Sequence, residues 1–100
     1  MTIIQLNYII ALEETRNFTK AAKLCGISQP TLSMQIKKLE GELKIIIFDR
    51  SKKPIELTKI GSSIIKQAKK ILLEVGKIDE IINTKKEVLK GQFIFKNFNS

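Results

Sequence analysis

Residues 18–43 read FTKAAKLCGISQPTLSMQIKKLEGEL, and they carry the clearest signals of secondary structure in the chain. Its first part, residues 20–25, consists mostly of strong helix formers. Thr19 precedes them and can cap free backbone N–H groups, with the apolar Phe18 before the cap. Gly26 can end the helix in the left-handed conformation that glycine adopts readily. The sequence therefore predicts a short helix that stops at Gly26.

A second helix is predicted immediately after this stop. Ser28 is a good N-cap, and Pro30 lies in the first turn, where its missing N–H is not needed. The helix runs over residues 29–43 and buries one apolar face, formed by Leu32, Ile36, Leu39 and Leu43. Two helices joined by a short turn that contains Gly are typical of a helix-turn-helix. The second helix is then the candidate reading helix.

The segments on either side extend this motif. Residues 3–14 predict an amphipathic helix, with apolar positions at Ile3, Leu6, Ile9 and Ile10. Downstream, residues 45–48 and 55–57 have the composition of two short strands. They flank a basic turn over residues 49–54. The sequence therefore predicts a hairpin, or wing, with a positive tip.

A long helix follows the wing. Thr58 can cap it, and from residue 64 the apolar side chains recur at alternating steps of four and three, as in a heptad repeat. The members of this heptad stripe are Ile64, Ala68, Ile71, Val75, Ile78 and Ile82. Because the stripe has no obvious partner within the chain, it predicts dimerisation. Gly91 is expected to close the helix, and residues 93–95 are typical of the start of a buried strand.

Composition and charge narrow the function. The 100 residues include 18 basic and 10 acidic side chains, a net charge of +8, and the positive excess begins at Lys20. Such a charge favours a polyanionic partner. With no His and a single cysteine, Cys25, the sequence excludes disulfide frameworks, His–Cys metal sites and catalytic centres built on Cys–His or Ser–His pairs. We therefore expect no enzyme activity, no cofactor and no metal. The chain lacks signal-peptide features and an apolar run long enough to span a bilayer, so we expect no membrane association and a cytoplasmic location.

Several strings, in this order and spacing, resemble the LysR-type transcriptional regulators. They are FTKAA (18–22), SQPTLS (28–33), QIKKLE (35–40), FDR (48–50) and LT (57–58). The resemblance covers about residues 1 to 95, and the strings PTLSMQI and FDRSKKP are most similar to the hydrogen-peroxide-inducible activators of that family. The chain departs from the family at Met34, where many members carry Arg, and at Lys44, where most carry Gly.

The resemblance implies a mostly α fold with three parts. Residues 1–57 would form a winged helix-turn-helix, residues 58–90 a linker helix that dimerises, and residues 91–100 the start of an effector domain missing from this chain. It also implies a sequence-specific regulator that binds promoter palindromes in double-stranded DNA as a homodimer, with a tetramer possible in a full-length form. Reactive cysteines of a peroxide sensor would belong to the effector domain. We interpret Cys25 as a small buried hydrophobic residue, because a free cysteine is commonly buried and no neighbouring His or paired Cys supports reactivity.

The candidate DNA-binding residues lie at the start of the first motif helix, along the reading helix and at the wing tip. They are Thr19, Lys20, Ser28, Gln29, Pro30, Thr31, Ser33, Met34, Gln35, Lys37, Arg50, Lys52 and Lys53. Gln29 can bond the N6 and N7 atoms of adenine in the major groove, the alternative being a solvated helix start. Pro30 and Thr31 can contact a thymine methyl group, although Pro30 also suits a mere helix start. Met34 can pack on a thymine methyl group or simply lie on the surface, and the sequence favours neither.

The remaining candidates are phosphate contacts rather than base readers. Ser33 and Lys37 lie on or beside the exposed face of the reading helix. At the wing tip, Arg50 resembles a family phosphate contact, and its lysine neighbours can reach phosphate or a narrow minor groove, the alternative being a basic turn that is only solvated. Thr19 and Lys20 can position phosphate at a helix N-terminus, the alternative for Thr19 being a cap alone.

Three other functions compete with this prediction. An RNA or nonspecific nucleoid binder would lack a preference for palindromes. A truncated regulator could act as an interaction module, pairing its long helix with a full-length regulator without binding an operator. A basic amphipathic helix could lie on membranes, but the apolar arc here is too narrow and too regular.

Overall fold

A computed structural model describes the backbone of residues 1–96 and the side chains of residues 1–85. Four helices and one small hairpin follow one another: α1 (Ile3–Thr15), α2 (Phe18–Cys25), α3 (Gln29–Leu43), β1 (Phe48–Asp49), β2 (Glu56–Leu57) and α4 (Lys59–Lys96). The predicted mostly α architecture, a winged helix-turn-helix followed by a long helix, is confirmed.

Two N-caps set the beginnings of α1 and α2. The Thr2 hydroxyl accepts the Gln5 N–H at 3.1 Å, and the Gln5 side chain accepts the Thr2 N–H at 2.9 Å. Asn17 caps α2, because its Oδ1 accepts the Lys20 N–H at 2.9 Å. The predicted cap at Thr19 is therefore wrong, and Thr19 lies inside the first turn. Asn is at least as good an N-cap as Thr, so the helix begins before the predicted residue.

The turn between α2 and α3 has the predicted form. Gly26 is left-handed with φ 68°, and its N–H donates to the carbonyl oxygens of Ala22 and Lys23. Ser28 caps α3 by accepting the Thr31 N–H at 3.3 Å. The bounds of α3 are those predicted.

All helices contribute to one core. Its buried apolar residues are Leu6, Ile9, Ala11, Leu12, Ala21, Ala22, Leu32, Ile36, Leu39, Ile47, Phe48, Ile65 and Ala68. Ile3 is exposed, so its predicted place on the buried face of α1 is wrong, and Leu43 is only partly buried. The buried face of α1 instead includes Gln5, whose side chain also accepts the Thr2 N–H in the N-cap of this helix.

The wing is shorter than predicted. Phe48 pairs with Leu57 and Asp49 with Glu56 in an antiparallel ladder, and residues 45–47 are not part of it. Ile47 lies opposite Thr58 in the continued register, and its carbonyl accepts the Thr58 N–H at 2.9 Å, as in a further ladder pair. Its own N–H donates to the Glu40 carboxylate at 2.7 Å instead of to Thr58, so the second bond of that pair is missing and the ladder begins only at Phe48.

The long helix α4 begins as predicted and ends later. Thr58 caps it by accepting the Gly61 N–H at 3.0 Å. The predicted end at Gly91 and the strand over residues 93–95 are wrong, because α4 continues to Lys96. A strand needs a partner strand, and no other strand lies near this position in the part of the chain that the structure describes. Residues 97–100 of the predicted effector-domain start lie outside the described residues. Over the described range, no helix is long and apolar enough to cross a membrane.

Candidate nucleic-acid interface

The outer face of α3 presents a row of exposed side chains. Pro30, Met34 and Lys37 are spaced four and three residues apart, which places them on one face of the helix. Met34 is 59% exposed. Because the opposite face is buried in the core, the exposed row can enter a DNA major groove without disturbing the fold.

Some predicted DNA contacts on α3 are engaged within the chain. Gln35 is half-buried, and its Oε1 accepts a bond from the Nε2 of the buried Gln5 at 3.4 Å. Thr31 accepts a bond from the Ser28 hydroxyl at 2.7 Å. Of these three predicted contacts, Gln35 points toward α1, whereas Ser28 and Thr31 take part in the cap of α3.

A groove of about 430 Å³ brings three parts of the fold together. Thr19 from α2, Gln29 from α3, and Arg50 with residues 52–55 of the wing line it. The wing supplies the exposed cations Lys52 and Lys53. Residues predicted separately from three segments thus share one surface. Lys37 instead lines a second groove beside Lys44, and Lys20 is exposed on α2.

The wing tip also carries one acid. The Ser51 hydroxyl and backbone N–H both donate to Oδ1 of Asp49, at 2.5 and 3.0 Å. These two bonds, the side-chain bond first, lower the pKa of Asp49. Asp49 therefore stays charged and orders the turn that displays the two lysines.

Arg50 is not free at the wing tip. Its guanidinium donates to the Ser33 hydroxyl at 2.8 Å and lies 3.7 Å from the Glu40 carboxylate. It also stacks over Phe18, with 4.8 Å between the guanidinium carbon and the ring centroid. Sequence reasoning gave Glu40 and Phe18 no role at this site. A signal was available for Glu40, since it follows the buried Ile36 by four residues and therefore lies on the inner face of the helix, which is otherwise apolar.

The heptad stripe is divided between two environments. Ala68 is buried, and Ile64 and Ile71 are partly buried against the core of the same chain. The prediction that they have no partner within the chain is wrong, because α4 packs on α1 along this part of its length. The second half of the stripe, Val75, Ile78 and Ile82, is exposed at 37%, 58% and 44%. Only this half is available to another chain.

Cys25 is half-buried and packs against the core, close to the expected small hydrophobic role. Burial raises the pKa of its thiol, so the reactive thiolate is less populated than in a free cysteine.

Comparison with known proteins identifies similar sequences. The family model for the bacterial regulatory helix-turn-helix protein, lysR family, matches residues 3–62. A hydrogen peroxide-inducible genes activator of Pectobacterium carotovorum is 40% identical over 91 residues, which are 91% of this chain and 30% of that protein. The DNA-binding transcriptional dual regulator OxyR of Escherichia coli K12 gives the same identity and coverage. The chain thus spans about 30% of the length of these relatives.

Solved structures are similar over the same region. Full-length OxyR of Pseudomonas aeruginosa is 44% identical with a TM-score of 0.79, covering 84% of this chain and 28% of that one. The DNA-binding domain of BenM in complex with catB site 1 DNA is 35% identical with a TM-score of 0.76, covering 92% and 96%. The DNA-binding domain of CbnR in a DNA complex is 34% identical with a TM-score of 0.77, covering 85% and 98%.

Proposed function

This chain belongs to the LysR family of bacterial regulatory helix-turn-helix proteins, and from that premise we propose that it binds double-stranded DNA at promoters as a homodimeric, sequence-specific regulator. One observation carries the proposal: Gln29, at the start of α3, and the wing lysines Lys52 and Lys53 line one groove. A helix that reads bases and a wing that binds phosphate must act on the same duplex, and the shared groove supports that pair of roles.

Base reading falls to the exposed row of α3. The Gln29 amide is suited to the paired N6 and N7 atoms of adenine. Pro30 and Met34 offer apolar surface, which matches the methyl group of thymine. Lys37, one turn further along the helix, is placed to contact phosphate.

Phosphate binding falls to the cations around this row. Lys52 and Lys53 extend from the wing, and Lys20 with Thr19 lies in the first turn of α2. The free N–H groups of that turn add a favourable potential for phosphate. These contacts fix the register of the domain on DNA without reading its sequence.

Dimerisation falls to the exposed half of the heptad stripe. Val75, Ile78 and Ile82 continue the spacing that Ile64, Ala68 and Ile71 use within the chain. A second copy of α4 would remove their apolar surface from water. A two-fold dimer places two reading helices on two half-sites, so the operator should be palindromic. A longer form could assemble further into a tetramer.

The remaining expectations follow from the family. We assign residues 1–57 to DNA binding and residues 58–90 to the linker helix, and residues 91–100 to the approach to an effector domain. A regulator of this class acts in the cytoplasm, needs no cofactor and catalyses no reaction.

Selection from a random duplex pool tests the proposal. Bound duplexes should share a motif with two-fold symmetry, and single-stranded RNA should not compete with them. Enrichment without symmetry, or equal competition by RNA, would favour a nonspecific nucleic-acid binder. Failure to bind duplexes, together with capture of a full-length regulator through α4, would favour the interaction-module alternative.

A further inference from the structure

Glu40 is a buried carboxylate in a basic domain, and DNA contact alone gives it no role. The residue is only 7% exposed. Its Oε2 accepts the Ile47 N–H at 2.7 Å and the Phe48 N–H at 3.3 Å. Its Oε1 lies 3.7 Å from Nη2 of Arg50. The Glu40 carboxylate therefore connects α3 to the backbone at the start of β1 and to the side chain of Arg50, the residue that follows β1.

Arg50 extends this connection along the reading helix. Its Nη1 donates to the Ser33 hydroxyl at 2.8 Å, and its Nη2 donates to the Ser33 carbonyl at 3.4 Å. Ser33 and Glu40 are seven residues apart, which is about two helical turns on one face of α3. The planar guanidinium, with donors in a fixed fork, can bridge these two turns, whereas a lysine offers a single point charge.

The hairpin needs such support. Each of its strands contributes only two residues to the ladder. A hairpin this short is marginal by itself, so contacts outside the ladder must determine where its tip points. The bonds of Arg50 and Glu40 are contacts of that kind, because both connect the wing to α3.

We propose that Arg50, Ser33 and Glu40 form a positioning unit that sets the wing relative to the reading helix. Arg50 then acts on DNA affinity by placing the wing, and the exposed lysines Lys52 and Lys53 neutralise phosphate. Charge and exposure support this division. Glu40 balances the charge of Arg50, whose side chain is 27% exposed, whereas both lysines are exposed. The inference rests on the proposed DNA-binding function.

The salt dependence of binding separates the two roles. The probe is a symmetric duplex selected from a random pool, with affinity measured by fluorescence anisotropy between 50 and 200 mM salt. The slope of log K against log salt changes by about 0.9 for each phosphate contact, so a substitution that removes one such contact from each protomer of a dimer reduces the magnitude of the slope by about 1.8. The control Lys53→Ala should show this reduction. Arg50→Ala should lower affinity about tenfold with the slope of the wild type, because it removes hydrogen bonds of a charged group and leaves the phosphate-binding lysines in place.

Glu40→Gln provides a second test, because the positioning unit and simple electrostatics predict opposite changes in DNA affinity. It removes a negative charge from a DNA-binding domain, so electrostatics alone predicts tighter binding. Loss of the ion pair with Arg50 instead predicts weaker binding to the selected duplex. Tighter binding by Glu40→Gln would overturn the positioning unit.

A variant that keeps the buried carboxylate guards against a folding defect. Ser33→Ala removes only the hydroxyl that accepts from Arg50, and it should weaken binding in the wild type but not in the Arg50→Ala background. An equal further loss in that background would show that Ser33 acts independently and would overturn the proposal, as would a slope for Arg50→Ala that matches Lys53→Ala. A wild type that binds no duplex would overturn the proposed function itself.

Discussion

Gly61 lies directly against the carbonyl group of Ile47, where α4 leaves the wing. A Cβ built at position 61 would overlap the Ile47 carbonyl oxygen and come within 2.9 Å of its carbon. The same carbonyl accepts the Thr58 N–H at 2.9 Å and the Thr58 hydroxyl at 3.2 Å. The first turn of α4 is therefore fixed to the buried backbone that precedes β1.

Gly61→Ala should destabilise the domain by about 1 to 3 kcal/mol, because the added methyl group displaces backbone that cannot move aside. Urea unfolding followed by circular dichroism measures the change. Gly76→Ala is the matched control in the same helix, since a Cβ at Gly76 meets no atom within 4 Å. The control should gain up to about 1 kcal/mol from helix propensity. Equal stabilities for the two variants would contradict the close packing of Gly61 on Ile47.

Gln29→Ala should relax base preference at one position of each half-site and cost about 1 to 3 kcal/mol there. The reason is that Gln29 lies exposed at the start of the reading helix. Affinities for duplexes substituted one base pair at a time measure the effect. Lys53→Ala, on the wing, should weaken all these duplexes alike. A uniform loss with Gln29→Ala would remove this residue from base reading.

Ile78→Asp should convert dimers into monomers at micromolar concentration without unfolding the domain. Ile78 is 58% exposed within one chain, but a dimer would bury it, and an unpaired charge there is costly. Sedimentation velocity measures the assembly. The matched control is Thr84→Asp. It introduces the same charge into the same helix, but about 200° around the helix axis from Ile82. A monomeric wild type, or monomers with both variants, would argue against dimerisation through the exposed half of the heptad stripe. Ile71 is unsuited to this test because it packs partly on its own core.

Cys25 should react slowly with iodoacetamide at pH 8. Burial raises the pKa of its thiol, so a smaller fraction is thiolate at that pH than in the unfolded chain. The rate should increase when the same protein is unfolded in urea, and its pH midpoint should shift downward. Peroxide treatment should leave DNA affinity unchanged. A peroxide effect that disappears in Cys25→Ser would instead make this cysteine a sensor.

The features that the sequence could predict are those that depend on neighbouring residues. The turn at Gly26, the Ser28 cap and the bounds of α3 all follow from local chemistry, and the structure confirms them. The prediction of the α2 cap failed because Asn17 and Thr19 are both competent caps. The left-handed backbone of Arg16, just before Asn17, could not be predicted from the sequence pattern.

The features that it could not predict depend on contacts between distant segments. Residues 45–47 have the composition of a strand, but the Ile47 N–H donates to the Glu40 carboxylate instead of extending the ladder. The heptad spacing is continuous, yet α1 covers only its first half. Arg50 and Ser33 appear in the sequence as separate DNA contacts, and their mutual bond exists only once the wing folds beside α3.

Affinity for duplex DNA as a function of salt is the decisive measurement for sequence-specific DNA binding by this domain. The wild type would be titrated by fluorescence anisotropy onto a selected symmetric duplex and onto a scrambled duplex of the same composition. If a dimer neutralises about six to ten phosphates, affinity should fall about 10³- to 10⁵-fold between 50 and 200 mM salt. The selected duplex should bind at least about 10³-fold more tightly than the scrambled one. A flat salt response, or equal affinity for the two duplexes, would contradict a sequence-specific DNA-binding domain.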